Sequence, residues 1–574
     1  MAWPYADYEW WVYSAYQTVP DPVNVLGAWR RLSRGGYDLG AVSDLSTLVA
    51  RWLARQHTLH PNQVQLSLFY ARAFKKWKIA DPASRKLRFD AAMEGFIKRN
   101  SVARDRGPCI EYPYREFMRE YLNRALPNVL GEGWVGGNFG NGAVAEKWSH
   151  VRRIERLGAW VATDFSQGFI SSANPDLSRD QAHDSSRLWA VPKDFGKDRL
   201  ITVEPCWRSF QQQYVRSVLL ESVHRGTLRG TAMDLEYTDG QSIQRELALR
   251  ASRTCTLATL DLKDASDNIH VDEVYDVFPP WTWGLLDESR SNRILDPRNG
   301  TLHDLYIYAG MGNATTFIVE TLFFSAYVYA FARAHGLPTY VSTFGDDVIC
   351  HSKTAASLIE YGQTPYFVIN KAKSFVGRDQ IRESCGIFAY KGVDVTVPHI
   401  DGFPDTQSGR LGVVDLHSRC ERSPLFWGLA SAIANEGILP NWPFRVRGFA
   451  SISDPTVPYD ELPPMRLNRD IQVMEVKLPN LEPPRVTISI TKLTKSHRKC
   501  DWDLARGLVA GSLLGFVHTG DRHRGNNNTV SFIAPGAWKP RKRWLCVEPD
   551  GYTDCSSTHP WGGHLVGLKE PRPR

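Results

Sequence analysis

The sequence predicts an α+β fold, and three stretches carry that expectation. "TYVSTFGDDVICHS" (339–352) reads as a β-hairpin, because two runs rich in β-branched and aromatic residues flank Gly345-Asp346, a pair with good turn chemistry. "TCTLATLDL" (254–262) is a further β-rich run. Residues 311–336 read as a long apolar helix, closed by Gly336, which supplies the left-handed stop, and by Pro338, which bars continuation.

Around these elements the chain sorts into regions. Its 574 residues, 43% of them hydrophobic, exceed one ordinary domain and predict three or four domain-sized units. The formal net charge of +7 suits a polyanionic partner, but spread over this length it decides little. Residues 1–130 read as mainly helical and include a basic, aromatic segment at 71–89. The Gly-rich stretch 131–148 is not a P-loop: Gly142 is followed by Ala-Val rather than Lys-Ser/Thr, which removes the ATPase reading. Residues 185–260 mix strand, helix and basic patterns, and the Pro-rich stretch from about 454 to 485 predicts a long irregular connection or a surface arm. "KPRKRW" (539–544) and a basic tail close the chain. Nine scattered cysteines, none in a C-x-x-C pair, predict reduced thiols in a cytosol. The start lacks the basic and apolar regions of a signal peptide. The apolar run 317–332 is shorter than the roughly 20 residues of a bilayer span and is interrupted by Glu320, so a buried core helix is expected and no membrane partner.

The chemistry concentrates in carboxylates. Asp346 and Asp347 are adjacent like charges at a hairpin tip, an arrangement that costs stability unless a cation neutralises it. A Gly-Asp-Asp triplet arises by chance in roughly one chain in ten of this length, so it needs a partner. "TLATLDLKDASDNIH" (256–270) supplies one: Asp261 ends an apolar strand 85 residues before Asp346, whereas Asp264 and Asp267 read more simply as turn or cap residues. Three carboxylates on neighbouring strands can hold two divalent ions about 3.5–4 Å apart, the arrangement for in-line phosphoryl transfer, and Mg²⁺ is the hard, oxygen-preferring ion for it. In "GMGNATTFIVETLFF" (310–324), Asn313 offers a hydrogen-bonding side chain at a helix start that, near metals, can read a ribose hydroxyl. In "VPKDFGKDRLITVEP" (191–205), Lys193, Lys197 and Arg199 alternate along a strand and can grip a triphosphate.

Taken in order, "VPKDFGKDRLITVEP", "LDLKDASDNIH", "GMGNATTF", "FGDDVIC" and "RESCGIFAYKGVDVT" (382–396) resemble the replicase subunit of positive-strand RNA bacteriophages of the levivirus type. The resemblance implies a right-hand polymerase of fingers, palm and thumb, with an antiparallel palm sheet flanked by helices. It divides the chain into an N-terminal region and fingers (1–253, with the basic motif near 191–205), a palm (254–396), and a thumb with a basic C-terminal region (397–574). It implies RNA-directed RNA synthesis from nucleoside triphosphates with two Mg²⁺ ions, Mn²⁺ being an expected substitute. Asp261, Asp346 and Asp347 then resemble the metal ligands, and Asn313 the ribose sensor with help from Ser266 or Asp267. Lys193, Lys197 and Arg199 resemble the phosphate-binding residues. Lys373, in "NKAKSF" (370–375), resembles a lysine that protonates the departing pyrophosphate. Implied partners are template and product RNA, the host elongation factors Tu and Ts and a ribosomal protein, in the cytoplasm of a bacterial host. One departure stands out: Phe344 occupies the position where the family commonly has Tyr before Gly-Asp-Asp, a change that leaves the carboxylates intact.

Overall fold

In a computed structural model of the chain, the structure describes residues 49–72, 82–130, 143–146, 185–193, 198–399 and short runs between 416 and 546. Among the described residues the N-terminal part holds helices α1 (Pro61–Arg72), α2 (Pro82–Arg106) and α3 (Tyr114–Ala125). Strands β1 (Ser186–Pro192) and β2 (Asp198–Val203) follow, then helices α4 (Cys206–Arg225) and α5 (Gly240–Thr254). Next are β3 (Leu257–Asp261), a 3₁₀ turn at Ser266–Asn268, α6 (Val271–Val277), α7 (Pro280–Ser289), and the short strands β4 (Arg293–Leu295) and β5 (Leu302–Asp304). The long helix α8 (Thr316–Ala334) leads into β6 (Val341–Phe344), β7 (Asp347–His351) and α9 (Ser352–Tyr361). A second hairpin, β8 (Ile381–Ser384) and β9 (Ile387–Tyr390), comes after them. The α+β expectation holds, with helices and mixed sheets alternating along the chain.

The central sheet has the order β3-β7-β6, all antiparallel, with Leu257 opposite His351 and Asp261 opposite Asp347. Strand alternation divides it into two faces. Ala258, Leu260, Val348 and Cys350 share one face and join the main core, which includes Val319, Leu322, Phe323 and Ala326 of α8. Ile349, on the opposite face, packs against Ala248 of α5 and Ile387 of β9. A helix apolar on all sides must be buried on all sides, and α8 is: Phe323, Phe324, Tyr327 and Phe331 are among its fully buried residues. It is long and apolar enough to cross a membrane by length and composition, yet most of it lies inside the fold. The expected stop holds too, with Gly336 at φ +63° and the Leu337 N–H donating to the Ala332 carbonyl at 2.8 Å.

A second sheet has the order β2-β1-β4-β5. Its β1–β2 pair is antiparallel, with Val191 opposite Arg199, and its buried Leu188, Ala190 and Leu200 pack with Met93 and Phe96 of α2. Two boundaries differ from expectation for physical reasons. The strand expected from 254 begins at Leu257, because α5 runs to Thr254 and closes on Cys255 in the left-handed conformation. The helix expected from 311 begins at Thr316, because the Thr202 N–H captures the Met311 carbonyl at 2.6 Å and the Thr316 hydroxyl that of Gly310 at 3.0 Å. The irregular connection expected from the prolines of 454–485 is corrected as well. Strands Met465–Asn468 and Val473–Glu482 lie within it, and the second pairs with Lys539–Cys546. Among the described residues the ladder with Met465–Asn468 ends at Val476, short of Pro479, which lacks the N–H to extend it. Lys197, residues 73–81 of the basic aromatic segment, nearly all of the Gly-rich stretch 131–148 and the basic tail lie outside the described residues.

Candidate active site

The site is built where two hairpin tips meet the end of β3. β6 and β7 are joined by Gly345-Asp346 alone, and Gly345 sits at φ +63°, the backbone setting that a tight two-residue hairpin requires at its first position. Helix α8 holds this turn from beneath: the Gly345 N–H donates to the Thr321 hydroxyl at 2.9 Å, and the Thr343 hydroxyl donates to the Thr321 carbonyl at 2.8 Å. Phe344 packs edge-on against Phe317 of the same helix, ring centroids 4.9 Å apart. The aromatic body at this position is used for packing.

The pairing of Asp261 with Asp347 across the strands puts both carboxylates on one face of the sheet. Asp261 is fixed on every side by the loop after Ile369. Its N–H donates to the Ser374 hydroxyl (3.1 Å), its carbonyl accepts from the Asn370 N–H (2.8 Å), and its Oδ2 accepts from Asn370 Nδ2 (2.7 Å). Lys373 Nζ stands 3.6 Å from its Oδ1. Asp347 meets the tip of the β8–β9 hairpin, whose two turn residues, Cys385 and Gly386, both have positive φ, and the Cys385 N–H donates to Asp347 Oδ2 at 2.9 Å.

Charge is concentrated here without full compensation. Burial pushes the Asp347 carboxyl up to about 7, and the neighbouring charges of Asp346 and Asp261 add to the shift, against the Cys385 N–H. Asp346 keeps solvent access at the turn, but desolvation in the cleft, and then the charge of Asp261, raise its pKa as well. Lys193 responds in the opposite sense: desolvation lowers its pKa, Arg199 and Lys373 lower it further, and Asp346 and Asp261 oppose them. Lys193 therefore lies within electrostatic reach of Arg199, Lys373, Asp261 and Asp346, although the five residues come from four separate motifs.

This donor set suits a hard divalent cation, which would relieve the repulsion that raises both hairpin carboxyls. It is not a ready-made cage. Among the described residues no three His, Cys, Asp or Glu side chains are gathered closely enough to hold a metal unaided. That pattern fits Mg²⁺, which is commonly bound by one or two carboxylates together with substrate phosphates.

The other expected residues occupy a second patch. Asn313 is buried, and its Oδ1 accepts from both the Thr315 N–H and the Thr315 hydroxyl at 2.8 Å. The Thr315 hydroxyl proton is thus committed, so the Tyr308 hydroxyl, 2.8 Å away, donates to it. The backbone donor fixes the orientation of the Asn313 amide and leaves its Nδ2 buried without a partner. Ser266 is buried beside Asp267, which is ion-paired with Arg99 at 2.7 Å.

Comparison with known proteins puts this cleft in context. Residues 161–402 match the family of RNA replicase β-chains. The chain is 33% identical over 236 residues to the RNA-directed RNA polymerase subunit beta of Qbeta virus (strain MX1), covering 41% of this chain and 39% of the relative. It is 35% identical over 222 residues to the corresponding subunit of Enterobacteria phage SP, covering 38% and 37%. With the RNA-directed RNA polymerase beta chain of Escherichia phage MS2 it shares 35% over 213 residues, covering 36% of each. Each match thus spans about two fifths of the relative's length. The resemblance read from the motifs is borne out over this segment, which holds all of the expected site residues. Among solved structures, the RNA-dependent RNA polymerase of a human picobirnavirus aligns at a TM-score of 0.40 and 10% identity, over 74% of this chain and 88% of that one, a likeness too loose to fix the fold.

Several residues that build the replicase-like cleft were not singled out by their motifs. Asn370 and Ser374 orient Asp261, Cys385 holds Asp347 through its backbone, and Thr321 holds the turn. Only Glu320 left a signal, as the charge interrupting an apolar run. It lies buried under Gly345: a Cβ there would come within 3.1 Å of its Oε1. Burial, then the charges of Asp346 and Asp267, raise its pKa well above the ordinary carboxylate range.

Proposed function

We propose that the chain is an RNA-directed RNA polymerase that copies a positive-strand phage RNA by nucleotidyl transfer, with a right-hand arrangement of fingers, palm and thumb. The observation that carries this reading is the pairing of Asp261 with Asp347, beside Asp346 and opposite Lys193, Arg199 and Lys373, inside a segment that matches the RNA replicase β-chains. In the proposed reaction a primer 3′-oxygen attacks the α-phosphorus of a nucleoside triphosphate, the bond to the β-phosphate breaks, and pyrophosphate leaves.

Asp261, Asp346 and Asp347 would hold two Mg²⁺ ions, which when bound supply charge neutralisation at the attacking and leaving oxygens. The chain's own side chains do the rest by position. Lys193 and Arg199 take the β- and γ-phosphates as point and forked donors respectively, with Lys197 as a third cation of the same motif. Lys373, held 3.6 Å from Asp261, delivers a proton to the departing pyrophosphate. Asn313 Nδ2, with Ser266 and Asp267, binds the sugar hydroxyl. Template and product RNA are the macromolecular partners, held mainly through their phosphates. The host elongation factors Tu and Ts and a ribosomal protein are proposed on family resemblance alone, with action in the bacterial cytoplasm.

The test is template-dependent incorporation of labelled nucleotide by the purified chain with Mg²⁺, beside Asp261→Asn and Asp346→Asn. Each substitution is expected to lower the rate by about 100-fold or more, the scale of losing one electrostatic group at a reacting centre. Variants as active as the parent would show the carboxylate assignment to be wrong.

A further inference from the structure

Helix α2 lies before the segment matched by the replicase family, yet it grips the turn that follows Asp261. Arg99 Nε and Nη2 both donate to Asp267 Oδ2, at 3.0 and 2.7 Å, and Arg99 Nη1 is 3.9 Å from Asp264. The next residue, Asn100, donates from Nδ2 to the Asp304 carbonyl at 2.7 Å and its Oδ1 accepts from the Tyr306 N–H at 2.8 Å. Seven residues after Arg99, Arg106 donates to the Asn268 carbonyl at 2.8 Å and pairs with buried Glu273. Positions 99 and 106 are two helical turns apart, so both point to the same side and bracket the Ser266–Asn268 turn.

The way Arg99 binds matters more than the fact that it binds. Both of its donors fall on one oxygen of Asp267. The other oxygen, Oδ1, is left with a single long contact, from the Ser266 hydroxyl at 3.4 Å. Asp267 is partly buried, with 12% of its side chain exposed, and desolvation pushes its pKa up; Arg99 is the charge that opposes this. The turn packs against α8, whose lead-in carries Asn313 with its buried, unpartnered Nδ2. A sugar hydroxyl needs one acceptor for its proton and one donor for its oxygen. Asp267 Oδ1 can serve as such an acceptor and Asn313 Nδ2 as such a donor.

We propose that Arg99 is a positioning residue for sugar selection. By holding Oδ2, it keeps the Asp267 carboxylate turned so that Oδ1 accepts from the 2′-hydroxyl of a ribonucleoside triphosphate. A deoxyribonucleotide leaves this acceptor and its partner donor unsatisfied, and that is the source of discrimination. The inference rests on the polymerase reading, and it assigns part of the substrate choice to a helix that the family match does not include.

The experiment measures kcat/KM for a ribonucleoside triphosphate and for its 2′-deoxy counterpart with the full chain, for the parent, Arg99→Gln, Arg99→Met and Arg99→Lys. In Arg99→Gln and Arg99→Met the ribo-to-deoxy ratio is expected to fall by about 10-fold or more, as for loss of one charge-assisted hydrogen bond. Arg99→Lys, which restores the cation, is expected to recover part of that ratio. A purely structural role would lower both rates together and leave the ratio unchanged, and that outcome in either neutral variant overturns the proposal. Should one neutral variant fail to fold, the other decides by the same ratio. Parent protein that incorporates no nucleotide would instead sink the polymerase reading and the proposal with it, so the two failures are distinguishable.

Discussion

Asp347 shows how a single residue can be placed against its own stability. Its folded pKa of about 7 lies above the roughly 3.9 of an unfolded Asp. A raised carboxylate pKa means that the folded state holds the proton more tightly. The stabilisation is therefore fully present below about pH 4 and is lost as pH rises through 7. Asp347→Asn removes that loss. In EDTA, parent and variant should be equally stable near pH 4, and the variant should be the more stable at pH 8. Because Asp347 keeps partial contact with water, the gap should be on the order of 1–2 kcal/mol, below the full value of the shift. Adding Mg²⁺ at pH 8 should raise the parent more than the variant, since the cation offsets the repulsion. Urea titrations across pH 4–8 measure this, and stability curves that stay parallel would remove the argument that Asp347 carries uncompensated charge.

At the scale of elements, the Gly345-Asp346 turn is a contact between a hairpin and a helix. Gly345 has a positive φ, and a Cβ on it would meet Phe317 Cε2 at 2.6 Å and Glu320 Oε1 at 3.1 Å. Gly345→Ala therefore combines left-handed strain, about 1–2 kcal/mol, with overpacking against α8, about 1–3 kcal/mol. Gly300 is the matched control: its φ is +75°, but nothing lies within 4 Å of an added Cβ. Gly300→Ala should cost only the strain. Urea unfolding should separate the two by at least about 1 kcal/mol, and equal losses would mean that α8 does not hold the turn. The hairpin itself was legible in the sequence because it is local: Gly345-Asp346 between two β-rich runs specifies turn and strands within 14 residues. Helix α8 and its Gly336 stop were legible for the same reason. Which residues serve each carboxylate was not, because those contacts join distant parts of the chain: Asn370 to Asp261, Cys385 to Asp347, Arg99 to Asp267. No periodicity encodes a backbone N–H from a hairpin 38 residues away. The strands at 465–468 and 473–482 pair with each other, and the second also pairs with 539–546; they were missed because proline frequency outweighed these pairings, one of which is made with residues far along the chain.

For the whole molecule, the boundary of the family match is not a boundary of the fold. The matched segment starts at residue 161, but the core around α8 includes Ile110, Met118, Tyr121, Leu122 and Ala125, which precede it. Helix α3 lies along α8, and the Tyr114 hydroxyl contacts His335 at 2.9 Å at its far end. Buried Glu273 finds its cation in Arg106 of α2, again outside the match. A fragment of residues 161–402 would thus expose one apolar side of α8 and leave a buried carboxylate unpaired. Burying a single large apolar side chain is worth about 1.5–3 kcal/mol, and the total stability of a domain is about 5–15 kcal/mol, so removing four such residues, together with Ala125 and one buried pair, should exceed the margin. The fragment is expected to aggregate or to unfold without a cooperative transition, whereas a chain beginning at residue 49 should keep one. Circular dichroism melts and gel filtration of the two give the comparison. A fragment of 161–402 that melts cooperatively near the temperature of the full chain would show that the N-terminal helices are additions to the cleft and not part of its core.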